Sequence, residues 1–294
     1  MTVAVNPSIL ARLFYVYGRE FDMRLQDRVA LITGAGRGIG RAIALAYARE
    51  GAKLALAART RNELEETAEL VQRMGAEADI ISVDVTNPAQ VEAMARQAQE
   101  RFSTIDILVN NAGVGGPVGP LQDNDIASWV QTIEVNIIGL YYCCQAVLPT
   151  MLAQNRGKII NMSGVGGRHV SAYGASKVAV VELTETLALE LADTNIQVNS
   201  LSPGSIHTRM WEETRDAAQA IGDEELYDYG VQVTSGGGAS LKRAVEFTVF
   251  LASDASGHLS GRLLRAVADD LVTLAGQVPE IMASDQYTLR RVEG

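Results

Sequence analysis

The chain has 294 residues, 47% of them hydrophobic, which suits one large α/β core better than two small ones. Its 35 acidic and 25 basic residues leave a formal charge of −10 with no basic patch, which argues against nucleic acid or an anionic membrane surface as a partner. The two cysteines, Cys143 and Cys144, are neighbours inside an apolar helical pattern, so no disulfide framework is expected and a reducing, cytoplasmic setting is.

Residues 1–23 precede the first strand signal. Arg12 interrupts their apolar run, no basic segment precedes it and no small-x-small cleavage site follows, so they are expected to be a short accessory arm, or the product of a start codon assigned too early, rather than a signal peptide. Asn136, Gly139 and Gln145 break the longest apolar stretch elsewhere, and no membrane span is expected.

Val29 to Ile32 is an apolar run too short for a helix. Thr33 and four glycines within seven residues, Gly34, Gly36, Gly38 and Gly40, follow it, and Ile39 opens a helical pattern that stops at Gly51. A strand, a glycine turn and a helix start in this order predict a phosphate-binding turn, because glycine lets backbone N–H groups and the helix N-terminus approach an anion. The second strand, Leu54 to Ala58, completes a βαβ unit. An enzyme preferring NAD usually places a carboxylate at its end, about 20 residues beyond the glycines. Here Ala58 and Arg59 stand there, with Arg37 in the turn, so NADP(H) is the expected cofactor and NAD(H) the alternative, the competing reading being that both arginines are merely solvated.

Helical patterns at 61–74 and 88–102 alternate with apolar strands near 79–83 and 105–109, as in a parallel sheet covered on both faces. Asp84 and Val85 follow the third strand, where Asp84 either hydrogen-bonds an adenine amino group or caps the loop before Pro88. The fourth strand runs into Asn110-Asn111-Ala112-Gly113, expected to flank the cofactor. A long helical pattern from Ile126 to about Gln154 carries Asn136 at its middle, an intrinsic penalty with either a functional or a structural purpose. After a fifth strand, Gly157 to Asn161, Tyr173 and Lys177 are four residues apart at a helix start and so share a face, where an ammonium would lower the phenol pKa from about 10. A sixth strand, Gln197 to Leu201, leads to Pro203-Gly204, Ile206 and Thr208. The polar stretch 209–240 reads as an irregular, mobile lid, a helix at 241–252 and a strand near 262–267 follow, and the tail has only moderate helical character.

With Thr33-Gly34-Ala35-Gly36-Arg37-Gly38-Ile39-Gly40, Asn110-Asn111-Ala112-Gly113, Asn136, Tyr173-Gly174-Ala175-Ser176-Lys177 and Pro203-Gly204 in this order, the chain resembles the short-chain dehydrogenase/reductase superfamily over roughly residues 25–267. The resemblance implies a Rossmann-like, doubly wound sheet of about seven parallel strands in one catalytic domain at 24–268, with the lid near 205–240 and residues 269–294 as a C-terminal extension. It implies Tyr173 as the acid/base. Lys177 would bind the nicotinamide ribose and lower the tyrosine pKa, and Asn136 would hold a water in a proton relay. Thr33, Gly34, Gly38, Ile39 and Gly40 would line the pyrophosphate turn, Asn110 would sit beside the adenosine ribose with Val85, Ala112 and Gly113 nearby, and Ile206 and Thr208 would meet the carboxamide beyond Pro203 and Gly204. No metal is implied.

Two departures matter. The family usually carries a serine pair after the fifth strand, whose second member meets the substrate oxygen; here the pair reads Ser163-Gly164 and the following segment is shorter by about four residues, leaving Ser163, with Ser171 or His169 as outside candidates. The chain also continues beyond Asp269-Asp270 where many relatives end. The expected function is hydride transfer between NADP(H) and a ketone, an aldehyde or a secondary alcohol, of a carbonyl reductase or alcohol dehydrogenase type. The alternatives are a nucleotide-binding sensor or scaffold with weak or lost catalysis, and a dehydratase or epimerase. Apolar faces at 137–148 and 178–191 predict a homodimer or homotetramer.

Overall fold

The computed structural model describes residues 23–290, so the arm at 1–23 lies outside the described residues apart from Met23. Val29–Thr33 (β1) is buried at every position, which is why it reads as a continuous apolar run rather than an alternating one. The remaining strands are Lys53–Ala58 (β2), Ala78–Ser82 (β3), Ile107–Asn110 (β4), Gly157–Met162 (β5), Ile196–Ser202 (β6) and Leu263–Arg265 (β7). Their ends differ from the sequence expectation by a residue or two. All pair in parallel, in the order β3-β2-β1-β4-β5-β6-β7.

Helices cover both faces. Gly38–Arg49 (α1), Arg61–Arg73 (α2) and Leu241–Ala252 (α9) enclose one core with Ile32, Ile43, Tyr47, Leu64 and Phe247. Pro88–Phe102 (α3), Gly139–Ala153 (α5) and Ser171–Glu190 (α6) enclose the other with Leu31, Met94, Cys143, Val147 and Val180. Successive β1 residues thus point to opposite cores, the period of two expected of a strand. Because strand order reverses at β1, the chain leaves the carboxyl ends of β1 and β4 in opposite directions and opens a crevice there.

Three expectations change. The 209–240 segment is not irregular: it forms Arg209–Ile221 (α7) and Glu224–Gln232 (α8), separated by Gly222 at φ +73° and capped by Asp223, whose carboxylate accepts from Leu226 N at 3.1 Å. Their apolar stripes are narrow and their other faces charged, which masked the helical period. The long helix is interrupted: Ile126–Ile133 (α4) passes through one π-helical turn, Glu134–Ile138, into α5, with Asn136 inside the widened turn. The 28 residues Ile126–Ala153 are also long and apolar enough to cross a bilayer by length and composition, against the expectation of no such run, because an 18-residue stretch within them keeps a mean hydropathy of 1.4 despite its polar and small residues. In this fold the run covers the sheet, with Cys143, Cys144, Val147 and Met151 buried against it.

The C-terminal extension folds back onto the body. Leu271–Gly276 (α10) and Val278–Met282 (α11) place Leu274, Val278 and Ile281 in the first core, and Leu263 N donates to the Tyr287 carbonyl at 2.7 Å, covering the edge strand.

The tightest approach in the crevice is at Gly40. A Cβ there would collide with the Gly34 carbonyl oxygen and stand 2.6 Å from Asn111 Nδ2, both held in place by β1 and β4. Gly40→Ala is therefore expected to lower unfolding stability by about 1–3 kcal/mol in a urea titration, through overpacking rather than helix propensity, which favours alanine.

Candidate active site

The crevice holds a cleft of about 280 Å³ lined by Gly34, Gly36, Arg37, Gly38 and Ile39 from the glycine turn, Arg59 after β2, Asp84 and Val85 after β3, and Ala112 and Gly113 after β4. Met162, Ser163, Tyr173, Lys177, Pro203, Gly204, Ile206 and Thr208 are among the residues that line its other end. Gly34 and Gly38 have φ of +65° and +55°, conformations that favour glycine. The N-terminus of α1 has no side-chain cap, and Gly38 and Ile39 line the cleft, so its first N–H groups suit a phosphate. An elongated cleft with an uncapped helix N-terminus at its middle and cations at one end fits a dinucleotide.

Three expected cleft residues act from behind it. Thr33 is 1% exposed; its Oγ1 accepts from Asn111 N at 3.0 Å and Ala112 N at 3.1 Å and donates to the Val109 carbonyl, joining the loops after β1 and β4. Gly40 serves helix packing. Asn110, expected beside the ribose, turns its side chain into the core, donating to Asn161 Oδ1 at 2.9 Å and Cys144 Sγ at 3.2 Å. The strand's side-chain alternation sends position 110 inward and leaves Asn111, which the sequence did not single out, on the cleft with its amide donating to the carbonyls of Thr33 and Gly34. Asp84 lines the cleft while its carboxylate accepts from Thr86 N and Oγ1, capping the loop before Pro88 as one of the two expected roles, and Asn87 caps α3.

At the other end, Tyr173 and Lys177 stand on the first turns of α6. Burial pushes the Tyr173 phenol up to about 12 and the Lys177 ammonium down to about 8. The expectation that Lys177 lowers the phenol is not met in this geometry. Its Nζ lies 5.5 Å from the ring centroid and donates to the Met162 carbonyl at 2.8 Å, so desolvation decides both shifts. Ser163 Oγ donates to the Lys177 carbonyl at 3.2 Å. Asn136 is 1% exposed; its amide donates to Val114 O and Ser176 Oγ and its Oδ1 accepts from Val114 N, tying the π-helical turn to α6 and to the loop after β4.

A second cavity, of about 340 Å³, adjoins the first and shares Tyr173, Pro203, Gly204, Met210 and Trp211 with it. Its walls are the loop Gly164–Arg168 and the helices α7 and α8, with Trp211 edge-on to Tyr229 at 5.3 Å. Gly164 lines this cavity and Ser163 does not. The outside candidates are engaged elsewhere: Ser171 Oγ accepts from Trp129 Nε1 and Asn124 Nδ2, and His169 Nδ1 lies 2.5 Å from Asp223 Oδ2, fastening the short loop to the start of α8. The loop runs so close to Tyr173 that a Cβ on Gly164 would stand 2.5 Å from the phenol oxygen, an intimacy no sequence signal announced.

Fold and cleft together define a dinucleotide-binding α/β protein. Residues 28–219 match the short chain dehydrogenase family model, and the chain belongs to that family. It is 33% identical over 248 residues to the uncharacterized oxidoreductase YxbG of Bacillus subtilis, covering 83% of this chain and 90% of that one. NAD+-bound xylitol dehydrogenase superimposes with a TM-score of 0.78 at 32% identity over 84% of this chain and 98% of its own. A variant of actinorhodin polyketide ketoreductase with NADPH gives 0.74 at 30% identity over 81% and 95%. The protein is accordingly an oxidoreductase of this family, and these neighbours support a nicotinamide cofactor without resolving which.

Gly164→Ser introduces the serine that the family resemblance implies at this position, yet its Cβ would displace Tyr173. It is expected to lower nicotinamide-linked turnover by about tenfold or more, with little change in melting temperature. Initial rates at fixed cofactor concentration check this, and a faster variant would show that the added hydroxyl outweighs the contact.

Proposed function

We propose that the protein transfers a hydride between NADP(H) and a ketone or aldehyde, or the matching secondary alcohol, as a carbonyl reductase or alcohol dehydrogenase. The observation that carries this reading is the position of Tyr173, which lines both the cofactor cleft and the adjoining cavity, while Lys177 lines the cleft alone. A nicotinamide cofactor bound in the cleft would supply or accept the hydride. Tyr173 Oη gives its proton to the carbonyl oxygen in reduction and takes the hydroxyl proton in oxidation, and the raised phenol pKa suits the donor role. Lys177, whose Nζ donates to the Met162 carbonyl, would when protonated hold the ribose hydroxyls of a nicotinamide nucleotide bound in the cleft. Ser163 and Asn136 hold the pair through the Lys177 carbonyl and Ser176.

NADP(H) is favoured because Ala58 offers no carboxylate, and Arg59 is exposed at the cleft with no ion-pair partner among the described residues. The aromatic and aliphatic walls of the second cavity suit a small or medium organic substrate, with α7 and α8 as the lid that selects it. Exposed Ile138, Tyr141, Val178 and Leu189 on α5, its preceding turn and α6 favour a homodimer or homotetramer, working in a reducing cytoplasm.

Titration with NADPH and NADH, followed by nicotinamide fluorescence, tests the cofactor; failure of both to bind overturns the reading. Tyr173→Phe is expected to cut turnover by about 10²–10⁴ with cofactor affinity retained, and unchanged turnover would remove the mechanism. The pH profile gives a separate check. Lys177 is charged below about 8 and neutral above, whereas the phenol keeps its proton to about 12. Carbonyl reduction is therefore expected to slow as pH rises through about 8, and this limb should vanish in Lys177→Met. A fall first appearing near the ordinary phenol value of about 10 would assign the limb to Tyr173 instead.

A further inference from the structure

The adenosine end of the cleft carries a carboxylate that β2 does not supply. Glu63 belongs to the first turn of α2, yet it lines the cleft beside Gly36, Arg37 and Arg59. Arg41 brings it there: its guanidinium donates to the carbonyl of Gly36 at 2.9 Å and to that of Glu63 at 3.3 Å, and Thr67 Oγ1 engages the same two carbonyls. The turn accommodates Glu63 only because position 36 is glycine, since a Cβ there would lie 2.9 Å from Glu63 Cβ and 3.2 Å from its Oε2. Glu63 Oε1 is 3.6 Å from Arg37 Nη1, so of the two cations at this end Arg37 is paired and Arg59 is not.

We propose that Glu63 is a specificity-determining residue that restrains the preference for a 2′-phosphorylated cofactor. This rests on the reading that the cleft holds NADP(H). A 2′-phosphate adds nearly two negative charges where Glu63 already places one, and must compete with Glu63 for Arg37; a ribose 2′-hydroxyl meets neither cost. The selectivity between NADPH and NADH is therefore a balance in which Arg59 pulls toward the phosphate and Glu63 opposes it. Its magnitude is moderate because both members of the Arg37–Glu63 pair reach solvent.

The test is the ratio of NADH to NADPH dissociation constants, measured by nicotinamide fluorescence on the wild type and variants of matched melting temperature. Glu63→Gln is expected to raise the ratio about fivefold, mainly through tighter NADPH. Glu69→Gln removes the same charge from the same helix at a site paired with Arg73, away from the cleft lining, and should move the ratio less than about twofold. An unchanged ratio in Glu63→Gln, or an equal rise in Glu69→Gln, overturns the proposal. A comparison that leaves Glu63 intact covers a Glu63 variant that does not fold. Arg37→Gln leaves Glu63 unneutralised at this end of the cleft, so it should weaken NADPH several-fold while leaving NADH nearly unchanged, and an unchanged NADPH affinity also overturns the proposal. A wild type that binds neither nucleotide would overturn the cofactor reading itself, a result distinct from a bound cofactor whose ratio does not move.

Discussion

The clasp between Thr33 and Asn111 is the constraint on which the rest of the site depends. A parallel sheet sends the chain off its carboxyl edge in opposite directions on either side of β1, and nothing in the ladder itself holds the two departing loops together. Thr33 Oγ1 takes the N–H groups of Asn111 and Ala112, while the Asn111 amide returns two hydrogen bonds to the carbonyls of Thr33 and Gly34. Leaving any one of these groups buried and unpaired would cost about 1–3 kcal/mol, so the loops behave as one unit. That unit fixes the seat of Gly40 and the direction in which the uncapped end of α1 faces.

At the far end of the cleft the organising force is desolvation. A buried phenol and a buried ammonium are both pushed toward their neutral forms, and the pair is tolerated because Met162, Ser163, Asn136 and Ser176 satisfy the surrounding polar groups. Burial therefore favours the protonated form of Tyr173. The π-helical turn around Asn136 serves the same frame, since the widened turn carries an amide that binds both Val114 backbone groups.

The substrate side is built differently. The loop after β5 is short, its glycine packs against the phenol, and the His169–Asp223 contact ties it to α8. Asp223 thus caps a helix and anchors a loop with the same carboxylate, and α7 lays Met210 against Gly115 and Trp211 against Tyr229 across the opening. Shape here comes from packing between segments far apart in the chain.

Local pattern was enough to read the strand–turn–helix start, the alternation that makes a doubly wound parallel sheet, and the Tyr173–Lys177 face, because each follows from backbone periodicity, glycine conformation or a spacing of four on a helix. The sequence by itself also determined the family, through the order of those motifs. Only the tertiary structure decided that Asn111 rather than Asn110 meets the cleft, that burial pushes the Tyr173 phenol up, that 209–240 is largely helical, and that Glu63 lines the cleft beside Arg37 and Arg59. Each of these depends on side-chain direction, desolvation or contact between elements distant in sequence, and such quantities exist only once the chain has packed.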